Sequence, residues 1–413
     1  MHSVDTRADR AHAMRFIVLL GLVSLFADMT YEGARSATGP FLLSLGASAG
    51  VVGAVAGLGE LLGYAIRLGS GYLTDRIRRY WLLTGIGYGV NLLAVPLLAL
   101  AGNWQVAAGL VLLERIGKAV RTPSRDVMLS FATRQVGRGF GFGLHEMLDQ
   151  IGAVAGPLLV AGALFTGEGY RRGFAVLLAP AMLALGVLAA ARAIFPAPAR
   201  FEQDENGAPA PRAGPLEGTA AHTAAAAVRA RLGRPFWLYV AFTAVAVAGF
   251  AHFQLISYHI KARGLMDDPS IPLAFALAMG VDALTALVVG KLYDRIGMGA
   301  LLALPAATIP ATVLAFGGSP GAAWAGVALW GMVMGVQETI MRAAIADLAP
   351  PEVRGSAYGI FNTAFGGAWF LGSTAMGLLY EVSAAWVVTF SVTMQLLAVP
   401  LFAAVHRASP RPA

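Results

Sequence analysis

Long apolar stretches restrict what this chain can fold into more than any other feature of its sequence. About twelve of them have a length near 20 residues, which lets a helix cross the hydrocarbon core of a bilayer. They lie near residues 14–36, 45–72, 81–101, 104–130, 139–166, 173–196, 236–262, 271–293, 298–317, 321–348, 355–379 and 384–406. Only 13% of the 413 residues are charged, against about 25% in an ordinary soluble domain. The sequence therefore predicts an all-α polytopic membrane protein with twelve transmembrane helices.

Basic residues indicate how the chain is oriented in the membrane. If the N-terminus is cytoplasmic, the even-numbered turns are cytoplasmic too, and they carry Arg76, Arg78, Arg79, Arg134, Arg138, Arg295 and Arg354. The turns on the other side carry mainly Arg171, Arg172, Lys261 and Arg263. Cytoplasmic turns are enriched in Lys and Arg, so we expect both termini in the cytoplasm. The basic first 15 residues, which no cleavage site follows, are expected to lead into an uncleaved first helix.

A polar segment separates the first six stretches from the last six. Residues 197–234 contain Pro-Ala dipeptides, an acidic run and a group of alanines, which is typical of a linker. We therefore expect an N-terminal six-helix bundle at 1–196, a cytoplasmic linker at 197–234 and a C-terminal six-helix bundle at 235–413. Arginine replaces lysine almost throughout, which is typical of a GC-rich bacterial genome, so the expected location is a bacterial inner membrane.

Composition and missing motifs exclude several other functions. The net charge of +7 is explained by the cytoplasmic turns, so it does not indicate nucleic-acid binding. The absence of cysteine excludes disulfides, thiolate catalysis and cysteine-ligated metals. The sequence has no Walker-type phosphate loop, and HEMLD at 145–149 lacks the second histidine of the HExxH zinc motif. We therefore expect no enzyme activity, no cofactor and no metal.

A short charged motif occurs twice, once in each half of the chain. Residues 71–79 read GYLTDRIRR and residues 290–298 read GKLYDRIGM, each at the end of an apolar stretch. RGFGFGL at 138–144 likewise matches RGSAYGI at 354–360, and FAD at 26–28 matches FAH at 250–252. Repetition of this kind in two sets of six helices is typical of transporters built from two pseudo-symmetric bundles.

The repeated motif resembles the signature between the second and third helices of the major facilitator superfamily, Gly-x-Leu-x-Asp-Arg-x-Gly-Arg. The residues that match and are taken as a conformational latch are Gly71, Asp75, Arg76, Arg79, Gly290, Asp294 and Arg295. Arg78 stands where the pattern has its second glycine. The resemblance implies two six-helix bundles around a central cavity and a latch that forms on one side of the transport cycle. The alternative is that the motif only anchors the topology.

The fifth stretch carries glycines and a proline with a second recognisable spacing. Gly143, Gly152, Gly156 and Pro157 resemble the antiporter motif of facilitator drug exporters, whose closing glycine pair is replaced here by Val160 and Ala161. The resemblance implies a bend of this helix at the interface between the bundles, and substrate export. The alternative is a packing motif without directional meaning, since small residues also allow close helix contact.

Charged residues within the apolar stretches are the candidates for proton coupling and substrate binding. Charges in a membrane helix are costly, at about 2.5–3.5 kcal/mol each on insertion scales, and they rarely face lipid. Asp28, Glu32 and Arg35 share one helical face, and Asp28 is our first candidate for a proton or cation site. Glu32 and Arg35 have an extracellular gate as their alternative role. The seventh stretch offers His252, Gln254 and His259, of which His252 aligns with Asp28 and His259 with Arg35. The alternative for His252 is a hydrogen-bonded packing residue.

The fourth and fifth stretches carry further candidates. Glu114, Arg115 and Lys118 lie in one run, and Arg115 falls where facilitator exporters resembling drug/proton antiporters carry an arginine tied to proton transfer. The alternative is that Glu114 with Lys118, and Arg115, form structural ion pairs. His145, Glu146 and Asp149 could let substrate and proton compete for a carboxylate, or they could form a satisfied ion-pair network. Weaker candidates are Glu60, Arg67, Glu338, Arg342 and Asn362.

Taken together, these patterns predict a secondary transporter that moves a small molecule by alternating access. The expected form is a substrate/proton antiporter that exports its substrate and works as a single chain in the lipid bilayer. The alternatives are proton-coupled uptake of a polar or ionic solute and a membrane sensor that does not transport.

Overall fold

The computed structural model describes residues 6–202, 232–350 and 353–408. The segment predicted to be a linker lies mostly outside these ranges. Helices account for nearly all of the described residues, which include no β-strand.

The N-terminal half consists of seven helices that make six membrane crossings. They are α1 (Thr6–Ser44), α2 (Ala49–Ile77), α3 (Tyr80–Leu97), α4 (Trp104–Val136), α5 (Arg138–Phe165), α6 (Gly169–Val176) and α7 (Leu178–Ile194). The short α6 and the longer α7 form one crossing and meet at Leu177. We call the membrane face at which α1 begins the N-terminal face, and the other one the opposite face.

The C-terminal half repeats this arrangement. Its helices are α8 (Arg234–Ala248), α9 (Phe253–Ala262), α10 (Ser270–Ile296), α11 (Ala303–Ala315), α12 (Pro320–Leu348), α13 (Arg354–Val382) and α14 (Ala384–Ala408). Here α8 and α9 together form one crossing, so this half also has six.

Most crossings are apolar enough to be recognised from composition alone. Among the described residues, eight helical segments are long and apolar enough to span a membrane, and one of them, Ser270–Ala315, contains both α10 and α11. The other three crossings are α4, α12 and α13, which carry many of the polar side chains of a central cavity. The predicted fold of twelve transmembrane helices in two pseudo-symmetric six-helix bundles is confirmed.

The repeated charged motif is helical rather than a loop. We placed the end of the second crossing near residue 72, but α2 continues to Ile77, and only Arg78 and Arg79 form the turn. Arg78 has a φ of 55° and is the one non-glycine residue with positive φ in the described ranges. Its backbone N–H donates to the Thr74 carbonyl at 3.0 Å, which ends the helix. In the second copy Gly297 ends α10 with the same φ of 55°.

The expectation of one continuous helix over 236–262 is wrong. The chain leaves the helical conformation between Gly249 and His252. Side chains of neighbouring helices bind carbonyls at the break: Trp330 donates to Ala251 O at 2.9 Å and Ser391 to Gly249 O at 2.6 Å. A backbone break inside a membrane requires such partners because lipid offers none.

Contacts between the two halves close the opposite face. Tyr170 donates to Asp268 at 2.7 Å, and the backbone N–H of Gly50 donates to Glu381 at 2.9 Å. Along α2 and α13 the backbones are close, since a Cβ added at Gly57 would lie 2.8 Å from the Cα of Phe370. Small residues allow this approach.

Candidate functional site

A cavity of about 380 Å³ lies between the two halves of the protein. Its walls are formed by α1, α2, α4 and α5 on one side and by α10, α12 and α13 on the other. Lining residues extend from Arg35 and Trp369 in the interior to Tyr358, which lies near the start of α13. Because the opposite face is closed, the cavity is directed toward the N-terminal face. A larger groove of about 990 Å³ between α3 and α7 lies away from these residues.

Five side chains of alternating charge form a continuous chain of ion pairs. The Arg35 guanidinium lies 3.5 Å from Glu32 and 3.7 Å from Glu60, and Arg115 lies 3.5 Å from Glu60 and 3.3 Å from Glu114. The chain joins α1, α2 and α4. Each carboxylate neutralises a neighbouring cation, as buried charges require.

The pairing of Glu114 differs from one of our alternatives. We considered an ion pair with Lys118 one turn away, whereas Glu114 pairs with Arg115 and accepts a hydrogen bond from Asn91 Nδ2 at 2.8 Å. The role of Arg115 in proton transfer stays a prediction.

Asp28 is linked to the basic side chains of α4 through a tyrosine. The Tyr31 hydroxyl donates a hydrogen bond to the Asp28 carboxylate. The Lys118 ammonium lies 3.7 Å from the centre of the Tyr31 ring, and the Arg121 guanidinium lies 5.7 Å from it. Asp28 is 8% exposed and lines the cavity. Sequence reasoning did not select Tyr31, although its position one turn after Asp28 on the same face was a usable signal.

The acidic and basic residues of α5 are divided between the cavity and the protein interior. Glu146 and Asp149 line the cavity, whereas His145 is buried and its Nδ1 lies 3.5 Å from Asp149. Arg125 on α4 donates to Ser24 at 3.0 Å and pairs with its neighbour Asp126 at 2.8 Å. The structure therefore brings two of the three predicted α5 residues to the cavity and pairs the third with one of them.

The wall formed by the C-terminal half is aromatic and amide-rich. Its lining residues are Met279, Asp282, Met334, Gln337, Glu338, Met341, Tyr358, Phe361, Asn362, Phe365 and Trp369. Both polar atoms of the Gln337 amide are buried without a hydrogen-bond partner among the described residues, and so is Oδ1 of Asp282. Gln337 was missed from the sequence because a single amide in an apolar helix gives no pattern.

The two predicted residues of the seventh crossing lie beside the cavity rather than in its wall. His252 stands at the break before α9, with its ring stacked on Trp369 at a centroid distance of 4.3 Å. Gln254 lines a separate small void of about 20 Å³ together with Arg35 and Arg115. Of the weaker candidates, Glu60, Arg67, Glu338 and Asn362 line the cavity. The side chain of Arg342 lies outside the described residues.

The residues predicted to form a latch are disengaged in this conformation. Asp75, Arg76 and Arg79 are exposed at the end of α2, as are Asp294 and Arg295 at the end of α10. Neither Asp75 nor Asp294 forms an ion pair with a side chain that the structure describes. Gly71 and Gly290 lie near Pro123 and Thr339, where an added Cβ would be 3.9 and 3.5 Å from side-chain carbons. The latch stays a prediction, and it concerns a conformation in which the N-terminal face is closed.

The glycines of the fifth crossing differ in what they pack against. Gly152 and Gly156 face α1 of the same half: an added Cβ would lie 3.0 Å from the Asp28 Cβ and 2.8 Å from the Met29 Cα, respectively. Gly143 has open space around it. Pro157 lies within α5, which is helical from Arg138 to Phe165. Gly152 and Gly156 therefore pack within the N-terminal half, and the bend of this helix at the interface between the bundles stays a prediction.

Twelve crossings around a polar central cavity define a multi-pass membrane transporter. Residues 20–373 match the Major Facilitator Superfamily. The chain belongs to this superfamily, whose members carry out secondary transport. Uncharacterized proteins of Mycobacterium tuberculosis and Mycobacterium bovis are each 40% identical over 400 residues, covering 95% of this chain and 93% of theirs. An uncharacterized MFS-type transporter of Methanocaldococcus jannaschii is 24% identical over 377 residues, 89% of each chain.

Solved structures show the same fold at low sequence identity. A bacterial homolog of the human lysosomal transporter Spinster, in an inward-facing and unoccupied conformation, gives a TM-score of 0.73 at 15% identity over 100% of both chains. The nucleoside transporter NupG gives 0.70 at 13% identity over 95% of this chain and 98% of its own. The peptide transporter POT in complex with sulfate gives 0.71 at 15% identity over 96% of both chains.

Proposed function

We propose that the protein is a proton-coupled secondary transporter of a bacterial cytoplasmic membrane that exports a small molecule in exchange for protons. The N-terminal face would be cytoplasmic, which is supported by its exposed arginines at the ends of α2 and α10. In this orientation the cavity is directed toward the cytoplasm, where an exporter takes up its substrate. The protein would work as a single chain.

The observation that carries the proposal is the position of Asp28. Its carboxylate lines the cavity, together with Glu32, Lys118 and Asp149, and accepts the Tyr31 hydrogen bond. A carboxylate in such a place can hold either a proton or the positive group of a substrate. Competition for one site makes the two exclude each other, which is the simplest form of antiport.

Packing next to Asp28 offers a way to couple its state to the motion of the halves. Gly152 of α5 lies against the α1 turn that carries Asp28, and α5 in turn contacts α10 of the other half. A change of charge at Asp28 can therefore alter contacts that extend to the interface. A ligand shifts the balance between two conformations only through its different affinity for them, and Asp28 lies where this difference can arise.

Two features of the protein bear on the direction of transport, and they favour opposite directions. The glycine and proline spacing of α5 resembles that of exporters and favours export. The dense charges of the N-terminal wall favour the second candidate, proton-coupled uptake of a polar or ionic solute. A membrane sensor that binds without transporting is the third candidate.

The test is proton movement in proteoliposomes that contain the purified protein and an internal pH dye. Panels of organic cations, amphipathic drugs, amino acids and organic anions are added outside. Antiport predicts that the lumen becomes more alkaline with at least one compound and that Asp28→Asn abolishes this signal. Glu168→Gln is the matched control, because Glu168 is an exposed acid outside the cavity and should leave the signal unchanged. Acidification would mean symport, and a silent wild-type protein would count against coupled transport.

A further inference from the structure

Two basic side chains on α4 face the cavity without the carboxylate partners that Arg35, Arg115 and Arg125 have. Lys118 and Arg121 are three positions apart, lie on one helical face and both line the cavity. Arg35, Arg115 and Arg125 each lie within 3.5 Å of at least one carboxylate. Among the described side chains, Lys118 and Arg121 have no such ion pair.

Their immediate surroundings are aromatic. The Arg121 guanidinium lies 4.2 Å from the centre of the Tyr88 ring, and the Lys118 ammonium lies 3.7 Å from that of Tyr31. Arg121 is 1% exposed, and its Nε and Nη1 atoms have no hydrogen-bond partner among the described residues. An aromatic face attracts a cation, but it leaves the N–H donors unused.

Unused donors on the buried Arg121 guanidinium, next to the unpaired charge of Lys118, indicate a ligand with a negative group. Removing a charge from water costs several kcal/mol unless a counter-charge and hydrogen bonds replace the water. A carboxylate that reaches Lys118 and Arg121 would supply both. Tyr31 lies between these cations and Asp28, so a second, positive group on the same ligand could reach the Asp28 carboxylate.

The opposite wall suits the remainder of such a ligand. Phe361, Phe365 and Trp369 offer aromatic surface across the cavity, and the Gln337 amide has an unused donor and acceptor. A volume of about 380 Å³ is that of a small-molecule site.

We propose that Lys118 and Arg121 bind the acidic group of the substrate, which is an amphipathic zwitterion whose basic group competes with the proton at Asp28. The part that concerns Asp28 rests on the proposed function, whereas binding of an acidic group by Lys118 and Arg121 does not require proton coupling. The class is a small molecule with one acidic group, one basic group and an apolar or aromatic body.

The test uses four probes that share one skeleton and differ in charge. They are 4-(aminomethyl)benzoate, 4-methylbenzoate, 4-methylbenzylamine and 4-methylbenzyl alcohol, and their dissociation constants are measured by calorimetry with the full chain in detergent. We expect the zwitterion to bind most tightly and the anion more tightly than the alcohol. Lys118→Gln and Arg121→Gln should each raise the dissociation constants of the zwitterion and the anion by about tenfold or more. The dissociation constant of the alcohol should change by less than about twofold.

Matched variants separate charge recognition from loss of structure. Lys291→Gln and Arg192→Gln remove exposed cations outside the cavity and should bind all four probes as the wild-type protein does. Lys118→Arg keeps the charge and should restore binding of the anion.

Three results would overturn the proposal. They are equal binding of the anion and the alcohol by the wild-type protein, equal weakening of all four probes by Lys118→Gln, and no binding of any probe at millimolar concentration. Because no membrane or proton gradient is present, these results do not depend on whether the proteoliposomes show proton exchange.

Discussion

The two walls of the cavity use different chemistry, although they come from repeated halves of one chain. On the N-terminal wall, Arg35, Glu60 and Arg115 are held in ion pairs of 3.5–3.7 Å that link three helices. On the C-terminal wall, aromatic rings dominate, and Gln337 and Asp282 have buried polar atoms without partners among the described residues. The ion-pair chain fixes Arg35, Glu60 and Arg115, although Lys118 and Arg121 of the same wall lie outside it. On the C-terminal wall, Gln337 and Asp282 keep polar atoms available. We infer that proton coupling belongs to the first wall and adaptation to the substrate body to the second.

The aligned positions Asp28 and His252 illustrate the same divergence. Asp28 lies in the continuous helix α1 and is hydrogen-bonded by Tyr31. His252 lies at a helix break, stacked on Trp369, with both ring nitrogens buried and unpartnered among the described residues. The repeat has therefore kept the order of the crossings while the chemistry of its two copies has diverged.

Removing the central carboxylate of the ion-pair chain should have the largest effect on stability. Glu60→Gln leaves Arg35 and Arg115 without their shared partner, and loss of one partner of a buried pair costs about 3–5 kcal/mol. We expect the lower end of this range because each arginine keeps a second carboxylate, Glu32 or Glu114. The measurement is reversible unfolding in mixed micelles. An unchanged free energy of unfolding would contradict the view that this wall is fixed by its ion pairs.

A substitution at the contact between α1 and α5 should cause the next largest loss of stability in the N-terminal half. Gly156→Ala places a methyl group against the backbone of Met29, and such overpacking costs about 1–3 kcal/mol. Gly143→Ala is the control from the same sequence motif, because it meets open space, and it should be neutral or slightly stabilising. Equal melting temperatures for the two variants would show that the close approach of α1 and α5 is not required.

On the C-terminal wall, removing a buried polar group should have the opposite effect on the free energy of unfolding. Gln337→Leu removes a buried amide that has no partner among the described residues, and an uncompensated amide costs about 1–3 kcal/mol in mutational data. We expect stability to stay the same or to increase by up to about 1 kcal/mol, while substrate flux falls. A clear loss of stability would mean that Gln337 is a structural residue, and the contrast between the walls would weaken.

The smallest effect on stability is expected at the turns in which the two copies of the charged motif end. Arg78 adopts a left-handed conformation just after α2, whereas its counterpart after α10 is a glycine, Gly297. A non-glycine residue pays about 1–2 kcal/mol there, so Arg78→Gly should stabilise the protein by less than about 1 kcal/mol once the entropy of glycine is counted. Gly297→Ala should destabilise it. The check is thermal unfolding of both variants, and a destabilised Arg78→Gly would indicate that the arginine side chain, rather than the backbone, matters at this turn.

Sequence reasoning recovered the crossings because burial in lipid demands about 20 apolar residues wherever a helix spans the membrane. It did not recover the break at Gly249–His252. The apolar pattern continues through this segment, and the break depends on Trp330 and Ser391, which come from distant helices.

Only part of the candidate site could be predicted from the sequence. Charged residues such as Asp28 and Glu60 could be selected because intramembrane charges are rare. Their partners could not, since the approach of helices decides that Glu60 bridges Arg35 and Arg115. Gln337 gave no signal at all, because neither its charge nor its spacing is unusual.

The most direct test of the account is to separate substrate exchange from proton-driven transport in Asp28→Asn. Proteoliposomes loaded with the compound found in the panel are assayed first for exchange with labelled compound outside, and then for accumulation driven by a pH gradient. We predict that Asp28→Asn loses accumulation at every substrate concentration. Exchange should need a higher substrate concentration, because the carboxylate also binds the basic group of the substrate, while Asp282→Asn keeps both activities. Accumulation that persists in Asp28→Asn, or is lost only in Asp282→Asn, would contradict the assignment of proton coupling to the N-terminal wall.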